Sequence, residues 1–304
     1  MNKKALERKA FLGLDENGLG PILGPMIVTC VGVIGTERPV DLGALVGDSK
    51  ALVRHGNIGL AEAWTRAILD ALGRPATSPR QAVDQCLLDS RQALTSLCPP
   101  DARAMCFDDA DDTDFGAPMP DVDHLRDQIG AWSKRGCELA FLRVALVCPK
   151  RLNLGPQNKL EQDLASMERL VLAAHRTLQT PWDAIAGKVG GMQYYTKKFR
   201  HLNAFACMIE HESRGESAYR VGDFGRLRFL VDADAQDPLV GLASLVGKYI
   251  REQMMARLTR FVRKIEPSVA AVSGYRDPNT AKFVAATARI RQTLGVPDDC
   301  FFRP

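Results

Sequence analysis

Two clusters of carboxylates in this sequence stand where predicted strands end. Asp15 and Glu16 are adjacent and follow the apolar run FLGL, which is typical of a β-strand. Asp232 and Asp234 follow a second such run, RLRFLV, and because they are two residues apart they would share one face of an extended strand. Carboxylate oxygens are the ligands that Mg²⁺ and other hard cations prefer. Acids that converge on metal from two strand ends would suit the in-line attack of water on a phosphodiester between two cations.

Both clusters also have purely structural interpretations. The glycines and prolines of GLDENGLGPILGP are turn residues, so the first pair of acids could simply open a turn. The second pair could cap the helix that is predicted to follow it. Asp237 fits that capping role better, because it directly precedes Pro238 and proline is favoured at the first position of a helix.

Composition and charge limit the classes of function without selecting one. The 304 residues are 46% hydrophobic and 25% charged, as in ordinary globular proteins, and the net charge of +4 permits a nucleic-acid partner without indicating one. The eight cysteines include no CxxC pair, which argues against a zinc ribbon and against a disulfide scaffold. The start, MNKKALERKAF, lacks an apolar core of signal-peptide length, and no apolar run could span a bilayer. We therefore expect a cytoplasmic protein with no membrane association.

Strand-like and helix-like segments alternate along the chain, which predicts an α/β layered fold. Strands are predicted at 9–14, 24–34 and 138–148, in WDAIAG and in RLRFLVDAD, and helices after GDSK, over 157–178 and over 242–265. The last helix carries Arg257, Arg260 and Lys264 along one side, which we interpret as a solvent-facing side.

The segment 98–123 differs from the rest of the chain. It has no apolar period, and five aspartates crowd within it: Asp108, Asp109, Asp111, Asp112 and Asp114. We interpret it as a mobile acidic loop. A calcium-binding loop is the alternative, but the DxDxDG spacing and its distal glutamate are missing.

Four motifs in this chain resemble those of the ribonuclease HII family, and they occur in the family's order. They are GLDENGLGPILGP, GDSK at 47–50, DADAQDPLVGLASLVGKYIRE, and SGYRDPNTAKF at 273–283. The resemblance implies a ribonuclease H-like α/β fold, a central mixed sheet flanked by helices with a helical C-terminal part. It places a catalytic domain over 1–265, with the acidic loop inserted near 98–123, and a C-terminal extension over 266–304 that packs on it.

The resemblance also implies roles for individual residues. Asp15, Glu16 and Asp234 would be catalytic acids that hold Mg²⁺ or Mn²⁺, with Ser244 as the serine of the family's Ala-Ser motif. Nucleic acid would be contacted by backbone groups at Gly18 and Gly20, by Lys50 at a phosphate, and by Tyr275 stacked on a sugar or base. An ordinary half-buried turn residue is the alternative for Tyr275.

The chain departs from the family pattern at several positions. Gly187 stands where the family has a further aspartate at a strand end, and moving the alignment to Asp183 would put the acid before the strand instead. Asp232 is a candidate catalytic replacement, while Lys188 is a candidate contact to the scissile phosphate. Leu19 replaces the arginine of the family's Gly-Arg-Gly, which leaves the preference for an RNA–DNA junction open.

The stretch KVGGMQYYTKKFRH after Gly187 admits two interpretations. Basic residues interleaved with the aromatic Tyr194 and Tyr195 suit a single strand or a hybrid backbone, and the glycine pair could cradle a phosphate. A solvated loop is the alternative.

Two functions follow from the sequence. The first is a metal-dependent endonuclease that hydrolyses the RNA strand of RNA–DNA hybrids, leaving 5′-phosphate and 3′-hydroxyl ends. The second is a catalytically impaired module that binds nucleic acid without cutting it, because one family carboxylate is missing. The number of carboxylates that reach the site distinguishes them.

Overall fold

A computed structural model describes residues 7–42, 58–99, 103–107 and 113–303. Lys50, the rest of the GDSK motif and four of the five aspartates of the acidic loop lie outside the described residues. The helix predicted after GDSK is described from Gly59 onward.

The described residues form a seven-stranded mixed sheet with the order β3-β2-β1-β4-β7-β6-β5. The strands are β1 (Lys9–Asn17), β2 (Met26–Gly35), β3 (Glu138–Val147), β4 (Trp182–Gly187), β5 (Cys207–Glu212), β6 (Glu216–Val221) and β7 (Gly225–Leu230). β1 pairs antiparallel with β2 and parallel with β4, and β4 pairs parallel with β7. The predicted mixed central sheet is therefore confirmed.

Helices cover both faces of this sheet, as the predicted fold class requires. They are α1 (Gly59–Ala71), α2 (Pro79–Cys86), α3 (Arg91–Thr95), α4 (Arg103–Cys106), α5 (Met119–Lys134), α6 (Pro149–Leu154), α7 (Lys159–Leu178), α8 (Ala233–Gln236), α9 (Pro238–Arg263), α10 (Pro278–Thr293) and α11 (Asp298–Phe301). Successive side chains of β1 point to opposite faces, so Phe11 packs in the core with α1, α5 and α9 while Leu12 packs in the core with α7. The helical C-terminal part packs on the far half of α9, where Leu258 and Val262 meet Phe283 and Phe301.

Two glycines bring α9 directly onto the sheet. A Cβ on Gly13 of β1 would come within 2.2 Å of the backbone of Leu239, and one on Gly247 of α9 would come within 2.6 Å of the Asn17 side chain. Neither Gly13 nor Gly247 has room for a side chain. The helix therefore lies directly against β1 from the middle of the strand to its end. Asp237 begins the helix as expected, since its carboxylate accepts hydrogen bonds from the N–H groups of Leu239 and Val240.

Three expectations about the second acidic cluster and the basic segments are wrong. Strand β7 ends at Leu230, so Asp232 and Asp234 do not lie on an extended strand and do not share a strand face. Arg257 is buried, not solvent-facing, and it donates a hydrogen bond to the Met254 sulfur. Tyr195 is also buried, with its ring stacked on Phe229 at 3.8 Å between centroids, so it belongs to the core and cannot stack on a base.

The acidic segment is more structured than its composition predicts. Within its described part, Phe107 and Ala117 are buried and α5 begins at Met119, inside the range assigned to a loop. The buried apolar residues of this segment are irregularly spaced, so no helical or strand period in the sequence indicates them. Asp114 itself is exposed.

Among the described helices, none combines the length and the hydrophobicity that crossing a membrane requires. All eight cysteines are described, and they form no disulfide.

Candidate active site

The ends of three parallel strands meet at one edge of the sheet. In the register, Leu14 of β1 lies opposite Ala186 of β4, and Gly187 of β4 lies opposite Leu230 of β7. Asp15 therefore lies next to Gly187. The chain leaving β7 delivers Asp232 and Asp234 to the same edge.

A cavity of about 590 Å³ opens at this edge and contains every described residue that the sequence assigned to the site. Its lining includes Asp15, Glu16, Gly18, Gly20, Gly187, Lys188, Asp232, Asp234, Ser244, Lys248, Arg251 and Tyr275. We refer to the lining carboxylates Asp15, Glu16 and Asp234 as the acidic wall, and to Arg251 with Tyr275 as the cationic wall.

Asp15 is held by a short polar network. Its Oδ2 accepts a hydrogen bond from Asn17 Nδ2 at 3.2 Å, and its carboxylate also bonds the Ser244 side chain, which α9 brings to β1. Burial, together with the nearby charges of Glu16 and Asp234, raises the pKa of Asp15 to about 7, against the lowering effect of the Ser244 hydrogen bond. A carboxyl with such a pKa is partly protonated near neutral pH.

The carboxylate of Glu16 has fewer hydrogen-bond partners than that of Asp15. Its Oε1 is buried with no hydrogen-bond partner, while the backbone N–H of Leu19 donates to its carboxylate. Burial raises the pKa of Glu16 to about 7, although Arg303 and Arg251 exert an opposite, lowering effect. A buried carboxylate oxygen without a donor is costly unless some other group uses it.

Asp234 and Asp232 occupy the short helix α8 and its entry. Asp234 lies in the first turn and is close enough to Asp15 for charge repulsion, so the two acids assigned to different motifs are brought together. Asp232 precedes the helix in the left-handed region, with φ 49° and ψ 40°, and is exposed. It lines the cavity, but from a turn that projects to solvent.

These carboxylates fit a divalent cation in chemistry but are not arranged as a ready-made site. Three acids that supply only oxygen ligands, one with an orphaned buried Oε1, are the donor set that Mg²⁺ or Mn²⁺ takes. Within the described ranges, no three acidic, histidine or cysteine side chains are grouped in a way that would already hold a metal ion. Binding would therefore require the carboxylates to draw together.

The cationic wall is built around the loop that follows β1. Gly18 has φ 104°, a conformation that favours glycine, and a Cβ there would come within 3.0 Å of Arg251 Nε. Arg251 is itself buried, with its guanidinium 5.3 Å from the centroid of the half-exposed Tyr275 ring. Gly20 lies beside the same ring, since a Cβ on it would be 3.6 Å from Tyr275 Cε1. Arginine and aromatic ring form a stacked pair at the cavity mouth.

Lys188 lines the cavity but its ammonium group is engaged elsewhere. Nζ donates hydrogen bonds to the carbonyl oxygen of Ser213 at 2.7 Å and to Ser217 Oγ at 2.9 Å. Burial lowers the pKa of Lys188. A contact to the scissile phosphate stays a prediction and would require these bonds to break. Asp183, the other candidate for the missing acid, lies at the opposite end of β4 and pairs with Arg38 and Arg228, which excludes it from the site.

Sequence reasoning missed two residues near the acids, Arg251 and Asp163. Arg251 lies in the helix predicted over 242–265, and its position in α9 next to Gly18 brings it to the cavity. Asp163 is 1% exposed and close enough to Glu16 and Asp15 for charge repulsion with both. Its signal in the sequence is an acid on the apolar side of α7, three residues after Leu160 and four before Met167.

No family model matches this chain, and no curated protein matches its sequence. The chain is similar to solved ribonucleases HII and HIII. The ribonuclease H2 from Pyrococcus horikoshii OT3 shares 15% identity at a TM-score of 0.44, with 96% of this chain and 92% of that chain covered. The RNase HII in a PCNA complex from Archaeoglobus fulgidus shares 16% identity at a TM-score of 0.43, with 96% of this chain and 92% of that chain covered. Bst-RNase HIII in complex with Mn²⁺ shares 14% identity at a TM-score of 0.46, with 98% of this chain and 67% of that chain covered. The roles of individual side chains are inferred from the geometry of this chain and not from these comparisons.

Proposed function

We propose that this protein is a divalent-metal-dependent endonuclease that hydrolyses the RNA strand of RNA–DNA hybrids. One observation carries the proposal: Asp15 and Glu16 from β1 and Asp234 from α8 line a single cavity whose other wall carries Arg251 and Tyr275. Acids that would hold cations thus share a cavity with groups that would hold a polynucleotide. The four-motif resemblance to ribonuclease HII supports the same substrate class.

In the proposed reaction the residues of the cavity have different roles. Asp15, Glu16 and Asp234 would hold Mg²⁺ or Mn²⁺, which when bound activates water and neutralises charge that develops on the phosphate. Asn17 and Ser244 fix the orientation of Asp15 through their hydrogen bonds. The backbone at Gly18 and Gly20 approaches the substrate because neither residue carries a side chain, and Tyr275 stacks on a sugar or base. Water adds to phosphorus and the bond to the 3′ oxygen breaks, which leaves a 5′-phosphate and a 3′-hydroxyl.

The test is cleavage of a labelled RNA–DNA hybrid, with DNA duplex and RNA duplex as alternative substrates, over a range of Mg²⁺ and Mn²⁺ concentrations. Asp15→Asn should lower the rate by about 100-fold or more, because removal of one ligand weakens an interaction worth several kcal/mol and 1.4 kcal/mol corresponds to tenfold. Hybrid binding by the same variant should be retained or tightened, since a negative charge near phosphate is lost. Asp114→Asn is the matched control, because it makes the same change at an exposed position outside the cavity.

The binding-only function is favoured by one specific observation. Gly187 contributes no carboxylate beside Asp15, and the described acids form no ready-made metal group. If wild type binds the hybrid but cuts it at no concentration of either metal, while Gly187→Asp does cut, the natural protein is a binding module. If the Asp15→Asn and Asp114→Asn variants cut at the same rate, the acidic wall is not the catalytic centre.

A further inference from the structure

The acidic wall has a gap at the end of β4. A Cβ built on Gly187 would lie 3.5 Å from Asp15 Oδ1, so an acidic side chain at this position would project among the carboxylates. Glycine leaves that place without a ligand. Asp15, Glu16 and Asp234 then have one charge fewer with which to hold cations than a four-carboxylate site has.

Asp163 brings a carboxylate to the same acids from another element. It lies near the start of α7, the helix that covers the face of the sheet opposite α9. On this helix Leu160, Leu164 and Met167 point to the core, and Asp163 lies on that same side. An apolar residue would be the ordinary choice at such a position.

The environment of Asp163 is unusual for an acid with only a structural role. Its side chain is 1% exposed, and Oδ1 has no hydrogen-bond partner. The charged groups that act on it are Glu16 and Asp15, both acidic, and among the described residues it forms no ion pair. Buried acids are normally paired or coordinate metals.

A second acid on the same helix shows what a structural carboxylate looks like here. Glu168 is fully buried as well, but its oxygens accept hydrogen bonds from the backbone N–H groups of Arg200, His201 and Leu202 at 2.7 to 3.1 Å. Glu168 therefore fastens the loop after β4 to α7. Asp163, five residues earlier, has no such set of donors and faces two acids of the cavity.

We propose that Asp163 is the fourth carboxylate of the metal centre, supplied by α7 in place of the one that Gly187 lacks. The inference rests on the proposed function, since it assumes that Asp15, Glu16 and Asp234 hold a divalent cation. Asp163 does not line the cavity itself but lies beside the acids that do. Binding would draw it and Glu16 together, and the orphaned Oδ1 of Asp163 and Oε1 of Glu16 would both be satisfied.

The test measures Mn²⁺ binding to the whole protein by calorimetry, without nucleic acid and independently of activity. The variants are Asp163→Asn, Gly187→Asp and the double variant, with Glu161→Gln as the control. Glu161 lies two residues earlier on α7, is paired with Lys198, and reports the effect of removing a charge that does not face the acids. Asparagine matches aspartate in shape, and each variant's melting temperature without metal confirms that it folds.

We expect Asp163→Asn to weaken Mn²⁺ binding at least tenfold, Glu161→Gln to change it less than twofold, and the double variant to recover most of the loss. Recovery at Gly187 would show that the two positions serve one centre. If Asp163→Asn binds Mn²⁺ as tightly as Glu161→Gln does, the inference is overturned and the proposed function stands. If the wild-type protein binds no Mn²⁺ at millimolar concentration, the metal-dependent function itself is overturned, and this inference with it.

Discussion

Acidic residues lie at both ends of strand β4, and those at the start of the strand form ion pairs. At the start of the strand, Asp183 lies within 3.3 to 3.9 Å of Arg228, Lys9 and Arg38. Arg38 also pairs with Asp237 at 2.5 Å. At the other end, Gly187 adjoins Asp15, and neither Asp15 nor Glu16 forms an ion pair within the described part of the chain.

The acids at the start of β4 stabilise the fold, whereas Asp15 and Glu16 at its end are partly buried and form no ion pair among the described residues. The carboxylates around Arg38 join β1, β4 and the start of α9, because Arg38 also donates to the carbonyl oxygens of Leu12 and Asp183. Glu16 and Asp234 repel Asp15, and burial raises the pKa values of Asp15 and Glu16. Such an arrangement destabilises the fold, and carboxylates with strongly raised pKa values cluster at functional sites.

The largest effect on stability should come from the paired end. Arg38→Met would leave the buried Asp237 without its ion-pair partner, and removal of one member of a buried pair typically destabilises by about 3 to 5 kcal/mol. Urea denaturation would measure the loss. Arg8→Met is the control, because the Arg8–Glu138 pair is exposed and should contribute less than about 1 kcal/mol. Equal losses in the two variants would show that the Arg38 cluster is not a structural anchor.

A smaller effect of opposite sign should come from the acidic wall. The pKa values of Asp15 and Glu16 are raised to about 7 from 3.8 and 4.5, so the folded state binds more protons than the unfolded state between those limits. Stability of the metal-free protein should therefore fall as the pH rises from about 4 to about 7, with the full penalty present above pH 7.

Asp15→Asn tests this sign. At pH 8 without metal it should be more stable than wild type by on the order of 1 to 3 kcal/mol, and at pH 4 the difference should vanish. Thermal unfolding at the two pH values gives both numbers. Added Mg²⁺ should stabilise wild type at pH 8 more than the variant. An Asp15→Asn variant that is less stable at both pH values would mean that its hydrogen bonds to Asn17 and Ser244 outweigh the charge.

The sequence predicted the sheet far better than it predicted the surroundings of the acids. Strands β1 to β4 could be placed because they are apolar runs, and helix α7 because its apolar residues keep a helical spacing. The expectation that Asp15 and Asp234 belong to one site came from the motif resemblance. The location of Asp163 and Arg251 depends on how helices pack across the sheet, which no local pattern records. For the same reason, the sequence pattern does not indicate that Tyr195 and Arg257 are buried.

Asp232 shows where local reasoning failed for a conformational reason. Two acids separated by one residue share a face only if the backbone is extended, and at Asp232 the backbone turns into the left-handed region. The charge of Asp234 raises the pKa of Asp15, whereas Asp232 is not among the charges that do so.

The smallest expected effect distinguishes these two acids. Asp234→Asn should reduce hybrid cleavage at least tenfold more than Asp232→Asn does, because only Asp234 is close to Asp15. Asparagine tolerates the left-handed conformation, so Asp232→Asn should leave stability nearly unchanged, whereas Asp232→Ala should destabilise by about 1 kcal/mol through backbone strain alone. Rates of hybrid cleavage and urea denaturation of the three variants would be compared. If Asp232→Asn loses as much activity as Asp234→Asn while remaining fully stable, Asp232 is a working acid of the centre, and the exposed turn moves into the cavity when substrate or metal binds.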